Sequence, residues 1–146
     1  MTKRPTFRAL LAGVLALTAL ATHAAAQIPT PEEFFGHRMG ADRKLAKWDR
    51  LVEYYELIGA ESDRVRVENV GTSTLGRPFL VLYVSSPENL ARLDDYQRMN
   101  AVLQDPRGHS QDEIDAAIAG GKVVFLQGYA LHSNEVAASQ AAAEIV

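Results

Sequence analysis

Cysteine is absent from all 146 residues. That excludes disulfides, thiolate nucleophiles and cysteine-ligated metals, so the fold must be held by its core alone. Aromatic residues are sparse at 8%, and Trp48 is the one tryptophan. Positive charge is not in excess. The formal net charge is −3, and nucleic-acid partners, which select basic faces, are not expected. No apolar run approaches the roughly 20 residues of a membrane-spanning helix. There is no internal repeat and no low-complexity tract beyond an alanine bias towards the C-terminal end.

What is present begins with a leader. Lys3, Arg4 and Arg8 precede the uncharged, mostly apolar residues 9–21, and Ala24-Ala25-Ala26 puts small side chains ahead of Gln27. A positive n-region, a short apolar core and an A-x-A site make an export signal. Residues 1–26 are therefore read as a signal peptide for the general secretory route, since Lys3-Arg4 is not a twin arginine. Removing its three basic side chains moves the net charge from −3 to −6. A periplasmic or secreted protein is expected, with no stable membrane association once the signal is gone. Residues 27–146 suffice for a small core. They break off on Ala143-Glu144-Ile145-Val146, inside an apolar helical pattern with no glycine stop. The expectation is the N-terminal part of a longer domain.

Apolar spacing sets out the elements. Residues 27–40, punctuated by Pro29 and Pro31, read as an extended lead-in. Leu45, Trp48, Leu51, Val52, Tyr55 and Ile58 recur at threes and fours, a helix capped by Asp42 and closed by Gly59. Val65, Val67 and Val70 mark a half-buried strand. Gly71-Thr72-Ser73-Thr74-Leu75-Gly76 turns the chain, and residues 79–84 form a second strand apolar enough to be buried on both faces. Leu90, Leu93, Tyr96, Met99 and Leu103 predict one helix, and Ser110 caps a shorter one ending at Gly120-Gly121. Residues 123–127 predict a third strand, with helix from there to the end. The alternation implies α/β architecture, a mixed sheet sandwiched by helices and incomplete in this chain. The polar segment 87–121 reads as a solvated cover rather than a wall of the substrate entrance.

Between the third strand and the last helix stands His132-Ser133-Asn134-Glu135. Imidazole and carboxylate three residues apart can reach one point, and both are ligands that zinc accepts. The place also fits, because open α/β sheets bind ligands at the carboxyl ends of their strands. Gly128 allows a turn, Ser133 or Asn134 can cap the helix, and a helix start favours a negative side chain. The plainer alternative stays open: Glu135 as a helix-start acid and His132 as a loop residue. His109-Ser110-Gln111-Asp112 repeats the spacing in a polar loop and reads as solvent-facing. His37 lies in the lead-in, and His23 leaves with the signal. Catalytic zinc takes three protein ligands. The third is His109, His37 or, preferred, a residue past 146.

Three segments in order resemble one family. The amphipathic helix over residues 44–58, with Trp48 and Tyr54-Tyr55, is the first. The hairpin Val70-Gly71-Thr72-Ser73-Thr74-Leu75-Gly76-Arg77-Pro78-Phe79 is the second. Leu131-His132-Ser133-Asn134-Glu135, followed by Gln140, is the third. Together they resemble the N-terminal part of an M14 zinc metallocarboxypeptidase. The resemblance implies an eight-stranded mixed sheet between helices, with His132 and Glu135 as the first two Zn2+ ligands. It also implies a third histidine, a catalytic glutamate and substrate-binding arginines, all expected beyond Val146. The implied activity is hydrolysis of peptides through a zinc-activated water, with the general base elsewhere than Glu135. Asn134 departs from the pattern: digestive carboxypeptidases carry arginine there, and His-x-Asn-Glu is similar to a related deacylase branch. The Gly-Arg-Pro hairpin and the export signal favour the peptidase. The alternatives are an M14-related deacylase or amidase, or an inactive binding domain that keeps the fold.

Overall fold

The structure is a computed structural model that describes residues 28–132 and 134–146. The signal-peptide reading and the proposed Ser133 cap lie outside the described residues. The lead-in is not wholly extended. Pro31–Phe35 forms a short helix, α1. Pro31 sits where a missing N–H costs nothing. Thr30 and Glu33 close a capping box: Glu33 Oε2 accepts the Thr30 N–H at 2.8 Å, and Thr30 Oγ1 accepts the Glu33 N–H at 3.3 Å.

Helix α2 spans Trp48–Glu61, five residues shorter at its start than a cap at Asp42 predicts. Arg43 has φ +58, which breaks the helix before it can begin at Asp42. Lys47 is the N-cap instead, without a side-chain bond. The buried face is as predicted over Leu51, Tyr54, Tyr55 and Ile58. Gly59 does not end the helix, which runs on to Glu61. A Cβ at Gly59 would meet Val67 Cγ2 at 2.7 Å. Glycine is there because a strand lies against the helix.

That strand is β1, Val65–Thr72, paired antiparallel with β2, Pro78–Val84. The register sets Val65 opposite Val84, Val67 opposite Leu82 and Asn69 opposite Leu80. It shifts between Asn69 and Gly71, a bulge that leaves Val70 exposed. The tip turns as predicted, with Gly76 at φ +74 donating its N–H to Ser73 O at 2.9 Å. Val67, Leu80 and Leu82 pack on the core. No residue of β2 is fully buried and Phe79 is exposed, so β2 is not buried on both faces: the face of Leu80 and Leu82 packs on the core, and Phe79 lies on the other.

A helical layer follows. The single helix expected over residues 90–103 is two, α3 (Pro87–Leu90) and α4 (Leu93–Gln104). They are separated at Arg92, where φ −116 and ψ 20 depart from helix. Ser86 Oγ starts α3 by accepting the Asn89 N–H at 3.3 Å. Helix α5, Gln111–Gly120, begins at the predicted Ser110 cap. A full capping box forms with Glu113, whose carboxyl is held below its usual range by bonds from the Ser110 N–H and hydroxyl. Helices α4 and α5 pack through buried Tyr96 and Ala117 and through Met99 against Gly120.

Residues 123–127 form no strand and pair with no other described segment. Val123, Val124, Phe125 and Leu126 are 67–99% exposed. The composition is that of a strand, but a strand exists only through a neighbour's ladder. Helix α6, Val136–Ile145, closes the chain with Glu135 as its N-cap. The main core gathers Leu51, Tyr54, Tyr55 and Ile58 of α2, Val65 of β1, Ala142 and Ala143 of α6, and Ala46. Phe34, Phe35 and Tyr129 pack at its margin. The described residues therefore make a small mixed α/β unit around a two-stranded sheet. No helix among them is long and apolar enough to cross a membrane.

Candidate metal site

The backbone brings His132 and Glu135 together at the start of α6. The Glu135 N–H donates to His132 O at 3.1 Å, closing one turn, and Glu135 O accepts the Ala138 N–H at 3.4 Å. Glu135 adopts φ −91 and ψ 63, a half-helical cap with no side-chain cap bond. Asn134 does not take that role. The turn into the site is made at Ala130, with φ +58, rather than at Gly128. A left-handed alanine carries about 1 kcal/mol of strain.

The side chains meet as the spacing predicts. His132 Nδ1 stands 2.8 Å from Glu135 Oε2, with the two side chains 63% and 57% exposed. Two donors of a tetrahedral zinc, bonded at about 2.0–2.2 Å, stand roughly 3.3–3.4 Å apart. The observed pair is closer, by the difference between a hydrogen-bonded contact and a shared ion. Nitrogen and carboxylate oxygen are the donor types zinc takes, so the pair fits two positions of such a shell.

The other histidines do not join them. His37 Nδ1 lies 3.1 Å from Arg38 O, beside the Phe35 ring. His109 Nδ1 lies 3.8 Å from Glu113 Oε2, at the head of α5. That contact fits a loop and cap role, with Glu113 rather than Asp112 as the neighbour. No group of three or more metal-ligating side chains occurs among the described residues.

One residue behind the pair, named in the resemblance without a role, has a partner that the motifs do not reveal. Gln140 is 6% exposed, and both ends of its amide bond to Ala46. Its Oε1 accepts the Ala46 N–H at 2.8 Å and its Nε2 donates to Ala46 O at 3.1 Å. The signal was available: a glutamine one turn before Ala143, on the face α6 buries. Its partner, 94 residues away, leaves no local trace. Nearby, burial pushes the Tyr55 phenol up to about 12, with Tyr129 and Tyr54 adding to the effect.

Comparison with curated proteins finds no match, and comparison with solved structures finds none either. A family model described as zinc carboxypeptidase, peptidase M14, matches residues 51–146. The match takes in α2 from Leu51 onward, the hairpin, the helical layer and the His132–Glu135 turn, and so covers the second and third of the resembling segments and the later part of the first. On that match the chain belongs to the M14 zinc carboxypeptidase family.

Proposed function

We propose that the protein is an exported zinc-dependent metallopeptidase, a carboxypeptidase acting on peptides, with His132 and Glu135 as two of its metal ligands. The observation that carries this reading is the 2.8 Å contact between His132 Nδ1 and Glu135 Oε2, within the matched residues. When bound, zinc supplies a water of pKa about 7 and polarises the scissile carbonyl. The residues of this chain hold and orient. His132 offers a neutral imidazole nitrogen, and Glu135 offers a carboxylate fixed by the first turn of α6. Glu135 would serve as a ligand and not as the general base, because a carboxylate that holds a metal has its lone pairs committed to it. A third ligand, the base and the groups that recognise substrate come from outside residues 27–146. In that larger assembly residues 123–127 pair within a mixed sheet covered by helices on both faces. Residues 1–26 direct export to the periplasm or beyond.

The test is substrate choice by the full-length protein. Peptides with a free C-terminus should lose their last residue, and peptides with an amidated C-terminus should not. A chelator should stop the reaction and added zinc restore it. Release of acyl groups from N-acyl amino acids, without peptide cleavage, would assign the deacylase branch, which Asn134 favours. A protein that holds zinc and hydrolyses neither class would be the inactive binding domain.

A further inference from the structure

We propose that Gln140 is the positioning residue of the His132–Glu135 pair. This rests on the reading of that pair as metal ligands. Helix α6 buries three residues, Gln140, Ala142 and Ala143. The two alanines give contact area, but a methyl group has no direction, and it tolerates sliding and rotation of the helix. Gln140 has direction. Its two bonds to the N–H and C=O of Ala46 run side by side, as a strand pairs with its neighbour. Together they fix both the height and the rotation of α6. Ala46 is 6% exposed, so water does not readily replace the amide, and losing it strands two backbone groups.

From Gln140 the constraint runs back to the site through hydrogen bonds. The first turn of α6 ties Ala138 N–H to Glu135 O, and Glu135 N–H ties to His132 O. On the other flank Phe125, Leu126 and Leu131 are exposed, and Tyr129 alone packs at the margin of the core, by contact and without a hydrogen bond from its hydroxyl. The directional contact is the one on the helix side, a clamp five residues beyond Glu135. Side chains hydrogen-bonded directly to metal ligands change metal affinity by about 10–100-fold when removed, and Gln140, which acts through the helix, should reach the lower end of that range.

The experiment uses the full-length protein with Gln140→Leu, which removes both bonds, and Gln140→Glu, which keeps an acceptor for the Ala46 N–H and loses the donor. Ile58→Ala, in the same core but on α2, serves as a stability control. Two readouts are taken: amide exchange at Glu135 and Ala138 in zinc-free protein, and zinc affinity by chelator competition. The expected result is exchange about tenfold faster and zinc bound about tenfold more weakly in both Gln140 variants, with neither changed in Ile58→Ala. A fall in Tm with exchange and zinc affinity unchanged would show a merely structural glutamine and overturn the proposal. If the wild-type protein binds no zinc, the reading of the pair as ligands fails. Exchange at Glu135 and Ala138 then still decides whether Gln140 positions them.

Discussion

Gly59→Ala separates two roles for one glycine by the sign of a free-energy change. In a helix interior, alanine is favoured over glycine by about 0.8–1 kcal/mol. Here the new Cβ would stand 2.7 Å from Val67 Cγ2 and 3.3 Å from Val67 Cβ, well inside van der Waals contact. Overpacking of that kind costs about 1–3 kcal/mol, and valine in a strand has little rotamer freedom with which to yield. The two effects oppose each other and the clash is the larger. Gly59→Ala should destabilise by about 1 kcal/mol, a fall of about 4 °C in Tm. In a Val67→Ala background the 2.7 Å contact is gone and only the 3.3 Å contact with Cβ remains, so the same substitution should become neutral or stabilise by less than about 1 kcal/mol. Urea unfolding of the four proteins of this double-mutant cycle measures both values. Loss of stability in both backgrounds would mean that Gly59 is a helix terminator after all. A gain in both would mean that β1 does not press on α2 there.

Two further outcomes follow from the same packing. The Tyr55 phenol is neutral to about pH 12 in the fold, against an ordinary value of 10.0. The unfolded chain therefore ionises first: stability is complete below pH 10 and declines between 10 and 12 at up to about 1.4 kcal/mol per pH unit. Tyr55→Phe should make that decline shallower when unfolding is followed against pH, and an unchanged slope would contradict the assignment. Ser110→Ala should cost about 1 kcal/mol and speed amide exchange at Glu113. Unaltered exchange would show that the capping box contributes nothing in solution.

The parts legible in the sequence were those written in local periodicity. The buried face of α2, the hairpin with its glycine turn and the Ser110 cap all follow from spacing or from one capping residue. The parts that were not legible depend on distant contact. Gly59 resembles a C-cap until Val67 is seen across from it. Arg43 gives no sign of its left-handed backbone, so the start of α2 was placed too early. Residues 123–127 have strand composition, but composition cannot supply the neighbour that makes a strand. The spacing of His132 and Glu135 was enough to bring them together, because one turn of backbone determines it. Gln140 and Ala46 meet across 94 residues, and no periodicity encodes that. Family membership drew on the order of three segments, and the match over residues 51–146 covers the last two and the first from Leu51 onward.

The central claim is that His132 and Glu135 hold a metal ion. It is tested most directly by elemental analysis of the full-length protein and of His132→Ala, purified identically. The account predicts about one zinc per chain in the wild type and essentially none in the variant, because removing one of three protein ligands leaves too few to hold the ion. Equal zinc in the two proteins would contradict it.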